Sequence, residues 1–221
     1  MSLEFACYYS PVLNAAFKGP FIEGQSQTYN LEDTDTTAFR MLVHWLYTQK
    51  LDLTLEELEN PPALDDTVTP TNQPSPKYLA EEENQIRESV SAHELHLVQL
   101  WVIADRLLIP ALQNAAIETL VRLGFWGVDD ESIHGFGWID YAYEHTQPQS
   151  PLRRLAVDAF VYVTDSHAWL TFKDNAHLLP KEFLIDLAIA LSRNIQVGKM
   201  NGFQRTRFSP TWRCYYVPMS N

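Results

Sequence analysis

The chain has 221 residues, of which 46% are hydrophobic, and it carries a formal net charge of −12. This length allows one or two domains, and the apolar content is sufficient for a buried core. The acidic balance argues against nucleic acid as a general partner, because phosphate contacts need clustered Lys and Arg side chains. No apolar run reaches the length that a membrane-spanning helix needs, so we expect no membrane partner.

The two cysteines indicate the cellular compartment. Cys7 and Cys214 lie far apart and form no CxxC pair. Such cysteines are typical of free thiols in a reducing compartment. Residues 1–16 also lack the basic start of a secretory signal. We therefore expect a cytoplasmic or nuclear protein.

The first helix is predicted between two clear boundary signals. Ser10-Pro11 supplies a capping hydroxyl and a proline for the first helical position, and Gly19-Pro20 ends the helix. From Gln25 to Leu31 the pattern alternates, with Gln27, Tyr29 and Leu31 on one face. A period of two predicts a half-buried strand there.

A second helix is predicted after the capping oxygens between Asp33 and Thr37. Its apolar stripe follows helical spacing and consists of Phe39, Leu42, Val43 and Leu46. We expect this helix to end near Tyr47-Thr48 and to be followed by a brief extended segment, Leu51-Asp52-Leu53.

An acidic, proline-rich insert is predicted at residues 59–92. Between Asp52 and Glu94 there are 11 acidic side chains against Lys77 and Arg87. Because few side chains there can support a core, we predict a flexible insert that functions as a solvated spacer or, alternatively, as a regulatory or partner-binding segment.

Helical spacing returns after the insert. A helix is predicted from Glu94, with an apolar stripe from Leu97 to Leu108, and the start of residues 80–91 is compatible with a helical lead into it. Pro110 opens the next helix. Three further helices are predicted at Ile139–Tyr143, Leu152–Val163 and Lys181–Ile195. Residues 196–221 read as a basic tail.

The sequence offers little catalytic chemistry. In His93-Glu94-Leu95-His96 the histidines are three residues apart, unlike the HExxH pattern of zinc proteases. Gly135-Phe136-Gly137 lacks the third glycine of a dinucleotide fingerprint. We therefore predict a protein that is not an enzyme and that has no catalytic, cofactor or metal site.

Three blocks of sequence, in order along the chain, contain motifs that are informative together. The first contains S-P-x-x-x-x-x-F from Ser10, F-x-E-G from Phe21 and A-F-x-x-L-x-x-W-L-Y-T from Ala38. The second is LVQLWVIADRLLIPAL at 97–112, and the third, at 138–163, contains YEHT and SPLRRL. Together the three blocks resemble a BTB/POZ domain protein of the fungal type.

The resemblance implies an α+β fold, mostly helical with a small sheet. We assign residues 1–123 to a BTB/POZ-like domain with the insert at 59–92, and residues 124–195 to a helical C-terminal extension. The family's N-terminal strands and the start of its first helix have no counterpart before Ser10. Because the family homodimer uses those elements, we do not expect that dimer, and the bare strand edge would favour association.

The resemblance also implies partner binding. BTB adaptors carry a hydrophobic-x-Glu motif that contacts a cullin scaffold, and Phe21-Ile22-Glu23 stands at the matching place. We predict Phe21 and Glu23 as partner-binding residues of a non-enzymatic interaction module, specifically a substrate adaptor of a cullin-type ubiquitin ligase. The alternatives are that Phe21 covers the core edge while Glu23 is solvated, that the protein is a nuclear transcription-associated scaffold, or that it is a truncated chain without preserved activity.

Overall fold

The structure is a computed structural model that describes residues 3–51, 76–126, 137–162, 176–201 and 212–219. Within these ranges all regular elements are helical. The α-helices are α1 (Leu3–Tyr9), α2 (Pro11–Lys18), α3 (Ile22–Ser26), α4 (Thr36–Thr48), α5 (Pro76–Arg106), α6 (Pro110–Trp126), α7 (Gly137–His145), α8 (Pro151–Tyr162) and α9 (Lys181–Asn201). Short 3-10 segments lie at Ala176–Leu178, between α8 and α9, and at Trp212–Tyr215, after α9. None of these helices is both long and apolar enough to cross a membrane.

The α+β prediction is wrong for the described residues, which contain no strand or sheet. In the predicted strand 25–31, Gln25 and Ser26 belong to α3, and Gln27 adopts a left-handed conformation with φ of 53°. Local side-chain bonds satisfy the backbone here. Gln27 donates to the Gly24 carbonyl and Thr28 to the Ser26 carbonyl, and such bonds compete with a sheet.

The alternating pattern of residues 25–31 does not come from strand pairing. Tyr29 and Leu31 are partly buried and pack against the core from an irregular segment, so alternate positions face inward without a partner strand. Of the second predicted strand, Leu51 is not in a strand, and residues 52–53 lie outside the described residues.

The boundary signals of the two N-terminal helices are confirmed. Ser10 accepts a hydrogen bond from the Leu13 N–H, and Gly19 follows the last residue of α2. Asp35 caps α4 by accepting from Thr37 and Ala38. The α4 stripe is partly different, since Ala38, Leu42, Trp45 and Leu46 are its buried residues.

Ser10 also joins distant parts of the chain. Its hydroxyl, fully buried, donates to the Leu107 carbonyl at 2.7 Å, across 97 positions of sequence. The Ser10 hydroxyl therefore caps α2 and also binds the chain just after the end of α5. This contact places the N-terminal helices against α5.

Helix α5 begins earlier than predicted. It starts at Pro76, so residues 76–92 of the predicted insert are helical, while residues 59–75 lie outside the described residues. The flexibility of the insert stays a prediction. Pro110 opens α6 as predicted.

The three predicted C-terminal helices form, as α7, α8 and α9. Helix α9 continues to Asn201, so the first residues of the predicted tail are helical. The turn between α7 and α8 uses the third resemblance block, because Ser150 caps α8 and the Arg153 side chain donates back to Thr146 and to the Tyr143 carbonyl.

Two groups of buried side chains form the interior. The larger group combines residues of α1, α2, α4, α5 and α6 with Ala142, Leu152, Leu155 and Tyr215. The smaller group joins α7, α8 and α9 around Phe183. The larger group therefore crosses the boundary at residue 124 that separates the two predicted parts.

Candidate partner-binding site

The predicted site lies at the start of α3. Phe21 occupies the position before Ile22–Ser26, with an extended backbone and no side-chain cap. Glu23 lies in the first turn of the helix, where backbone N–H groups favour a negative charge. The two predicted residues are thus held on one short element.

Two glycines let α3 approach α2 closely. A Cβ added at Gly24 would stand 2.6 Å from the Gly19 carbonyl oxygen, which is closer than atoms pack. A Cβ at Gly19 would stand 2.8 Å from Cδ2 of Phe21. The glycine of the F-x-E-G motif therefore has a packing role, and the Phe21 ring lies beside the bare backbone of Gly19.

The contact with Gly19 leaves much of Phe21 in solvent. Phe21 is 58% exposed and its neighbour Ile22 is 74% exposed, while Glu23 is partly buried. Adjacent exposed apolar side chains next to a carboxylate can provide an anchor and a charge-assisted hydrogen bond to a partner. We call Phe21, Ile22 and Glu23 the α3 face.

Sequence reasoning missed Ile22. The hydrophobic-x-Glu motif allows any residue at its middle position, and the alternating pattern that follows favours a strand over a helix. The available signal was the run Phe21-Ile22 immediately after Gly19-Pro20, where a turn brings side chains to the surface.

A second exposed aromatic surface lies on α1 and α4. The Phe5 and Tyr47 rings have centroids 5.4 Å apart, and both rings are exposed, as is Tyr8. Tyr8 in turn meets the Tyr9 ring edge-on at 4.8 Å. The sequence analysis did not select these residues.

The motif His93-Glu94-Leu95-His96 lies in α5, where its residues make contacts within the fold. His96 lies 3.8 Å from the Asp35 carboxylate that caps α4, and Glu94 between the histidines is buried. The pKa of Asp35 is lowered, chiefly by the hydrogen bond from the Ala38 N–H. Across the described ranges, no three His, Cys, Asp or Glu residues form a group that could hold a metal ion.

Comparison with known proteins gives one family. Residues 5–65 match the family model described as BTB/POZ domain, and the match covers most of α1, all of α2 to α4 and the α3 face. No curated protein matches the chain, and no solved structure does.

Proposed function

We propose that the chain is a substrate adaptor that contacts a cullin-type scaffold through Phe21 and Glu23, because residues 5–65 match the BTB/POZ domain family model. BTB/POZ domains are protein–protein interaction modules and not an enzyme family, which supports partner binding as the general role. The cullin contact is the specific form of that role.

The exposure of the α3 face carries the proposal. Phe21 and Ile22 are adjacent, exposed and apolar, and they lie inside the segment that matches the family. Exposed aromatics with a neighbouring charged residue are the usual anchors of an interface. The partly buried Glu23 can fix the orientation of a partner by accepting a hydrogen bond.

The test is a binding titration of the full chain against the N-terminal domain of a BTB-binding cullin. We expect the double variant Phe21→Ala, Glu23→Ala to bind at least about tenfold more weakly, because truncating a central anchor costs on the order of 2 kcal/mol. Tyr8→Ala serves as the matched control, since Tyr8 is another exposed aromatic residue outside the α3 face. It should bind like the wild type.

Two results would contradict the proposal, the first its adaptor role and the second its contact residues. One is a wild-type chain, shown to be folded by circular dichroism, that does not bind the cullin at all. The other is wild-type-like binding of the double variant, or an equal loss of binding in Tyr8→Ala, which would show that the contact does not depend specifically on Phe21 and Glu23.

The alternative of a nuclear transcription-associated scaffold would use the same exposed surfaces. Nothing in the described part of the chain favours it separately, and it shares with the adaptor role the general function of binding proteins.

A further inference from the structure

The C-terminal segment 212–219 is held between two helices as a bound peptide would be. We call it the tail segment. Tyr215 is buried, and its hydroxyl donates to Asp158 of α8 at 2.6 Å. The hydroxyl of Tyr216 donates to Glu118 of α6 at 3.2 Å. Two neighbouring tyrosines therefore bind carboxylates on opposite walls of one groove.

Asn114 of α6 binds the tail segment through its main chain. Its side-chain amide donates to the Val217 carbonyl at 3.0 Å, and its amide oxygen accepts from the Val217 N–H at 2.7 Å. Asn114 is only 8% exposed and Val217 is partly buried, so both bonds are partly shielded from water. A bidentate contact of this kind recognises an extended backbone whatever chain supplies it. We call the site formed by Asn114, Glu118 and Asp158 the tail groove.

The tail segment leaves a cavity open beside the groove. A cavity of about 460 Å³ adjoins Tyr216, Val217 and Pro218 and is also lined by Trp101 and Arg154. Trp101 is 2% exposed, yet its indole N–H has no hydrogen-bond partner in the part of the chain that the structure describes. That nitrogen is itself shielded from solvent, so the open space that an occupant could fill is the cavity and not the Trp101 N–H.

We propose that the tail groove is a peptide-binding site, that the tail segment is its intramolecular occupant, and that a partner protein displaces it with an extended segment. The partner segment has a tyrosine, an aliphatic residue two positions later and then a proline, as in Tyr215, Val217 and Pro218. This inference goes beyond the adaptor function and uses no residue of the α3 face.

The tether determines how strongly the tail segment competes. An attached segment acts at an effective concentration of about 1 mM, so a free peptide with the same contacts binds the intact chain weakly. Weakening the attached segment should therefore raise the affinity for a free one by about tenfold or more. The two carboxylates also predict that a phosphotyrosine in place of Tyr215 is rejected, because like charges would meet in the groove.

The probe is a fluorescein-labelled peptide of residues 211–221 with Cys214→Ser, titrated into the full chain and followed by anisotropy. The test variant is Val217→Pro, which removes the N–H that binds Asn114 and leaves the groove intact. Met219→Ala is the matched control, because Met219 is an exposed tail residue. We expect the peptide to bind the Val217→Pro chain at least tenfold more tightly than the wild-type chain or the Met219→Ala control. Adding Asn114→Ala to the Val217→Pro chain should abolish this binding.

Equal binding to Val217→Pro and to the wild type, with both proteins folded, overturns the proposal. So does binding that survives Asn114→Ala or that accepts the phosphotyrosine peptide equally well.

Hydrogen exchange of the wild-type chain tests the same inference if Val217→Pro does not fold. The Val217 amide must then exchange through local opening, far faster than the amides of the α5 core around Leu100. If the Val217 amide exchanges only at the rate of global unfolding, the tail segment never leaves the groove and the proposal fails.

Discussion

Glu94 places a carboxyl group in the interior of the molecule. It is 3% exposed, and within the described residues its Oε2 atom has no hydrogen-bond partner. Because burial disfavours the charged form, the pKa of Glu94 is raised from 4.5 to about 8. At neutral pH the folded chain therefore holds this carboxyl mostly as the neutral acid.

The raised pKa predicts that stability falls as pH rises. Between pH 4.5 and about 8 the folded chain binds a proton at Glu94 that the unfolded chain has released. The free energy of unfolding should therefore fall across this window, with a slope of up to about 1.4 kcal/mol per pH unit from this group, and the full contribution is present only below pH 4.5. Urea unfolding at pH 5, 6, 7 and 8 measures the slope.

Glu94→Gln should remove this contribution and flatten the profile, because the amide does not titrate. The matched control is Glu88→Gln, which changes an exposed residue of the same helix and should keep the wild-type slope. Identical slopes in Glu94→Gln and the wild type would contradict the assignment of the effect to Glu94.

At the scale of elements, the α7–α8 turn depends on Arg153. Its guanidinium donates to the Tyr143 carbonyl at 2.6 Å and to both the carbonyl and hydroxyl of Thr146, and it lies 4.4 Å from the centre of the Tyr143 ring. These carbonyls lie at the end of α7, where a helix has no partners of its own. The same Tyr143 binds Asp186 of α9, so the turn joins three helices.

Arg153→Met should lower the free energy of unfolding by about 2–4 kcal/mol, because it leaves two buried carbonyls without donors. Arg153→Lys should recover only part of this loss, since an ammonium cannot reproduce the planar fork. The comparison is Arg154→Met at the exposed neighbouring position, measured by urea unfolding. Equal effects of the two methionine variants would show that the Arg153 bonds add no stability.

The sequence predicted elements well where the signals were local. Ser10, Pro11 and Asp35 act within one helical turn, and the helices that they start were predicted correctly. The third resemblance block was recognised, but the role of Arg153 was not, because its partners lie across a turn. The strand at 25–31 was wrong because an alternating pattern records which side chains face inward and not whether a second strand is present.

For the candidate site, the sequence supplied Phe21 and Glu23 through a motif, and the structure added Ile22 and the reason for Gly24. Exposure decides whether a phenylalanine is an anchor or part of the core, and the spacing of residues does not report it. The binding role of Phe21 and Glu23 stays a prediction until the cullin titration is done.

At the scale of the whole molecule, the segment that matches the family shares its core with the rest of the chain. Leu42, Trp45 and Leu46 of α4 are in the same buried cluster as Leu97 and Trp101 of α5. Ser10 adds a hydrogen bond to Leu107 in the same region. The N-terminal helices therefore bury their apolar faces against later sequence.

A fragment of residues 1–75 should for this reason lack a cooperative thermal transition, whereas the full chain should unfold cooperatively. Removing α5 and α6 exposes the buried face of α4, and short helices without a packing partner are marginal in water. Circular dichroism melts of both proteins make the comparison. A sharp transition in the fragment would show that the matched segment folds without α5 and α6.

The sequence by itself determined where most helices begin and end, because caps, prolines and apolar stripes act through neighbours within one or two turns. It also determined the family resemblance that led to Phe21 and Glu23. Only the tertiary structure decided that the described residues form no sheet, that Glu94 is buried, and that the tail segment lies in a groove between α6 and α8. Those features depend on contacts between residues far apart in the chain, and no local pattern records such contacts.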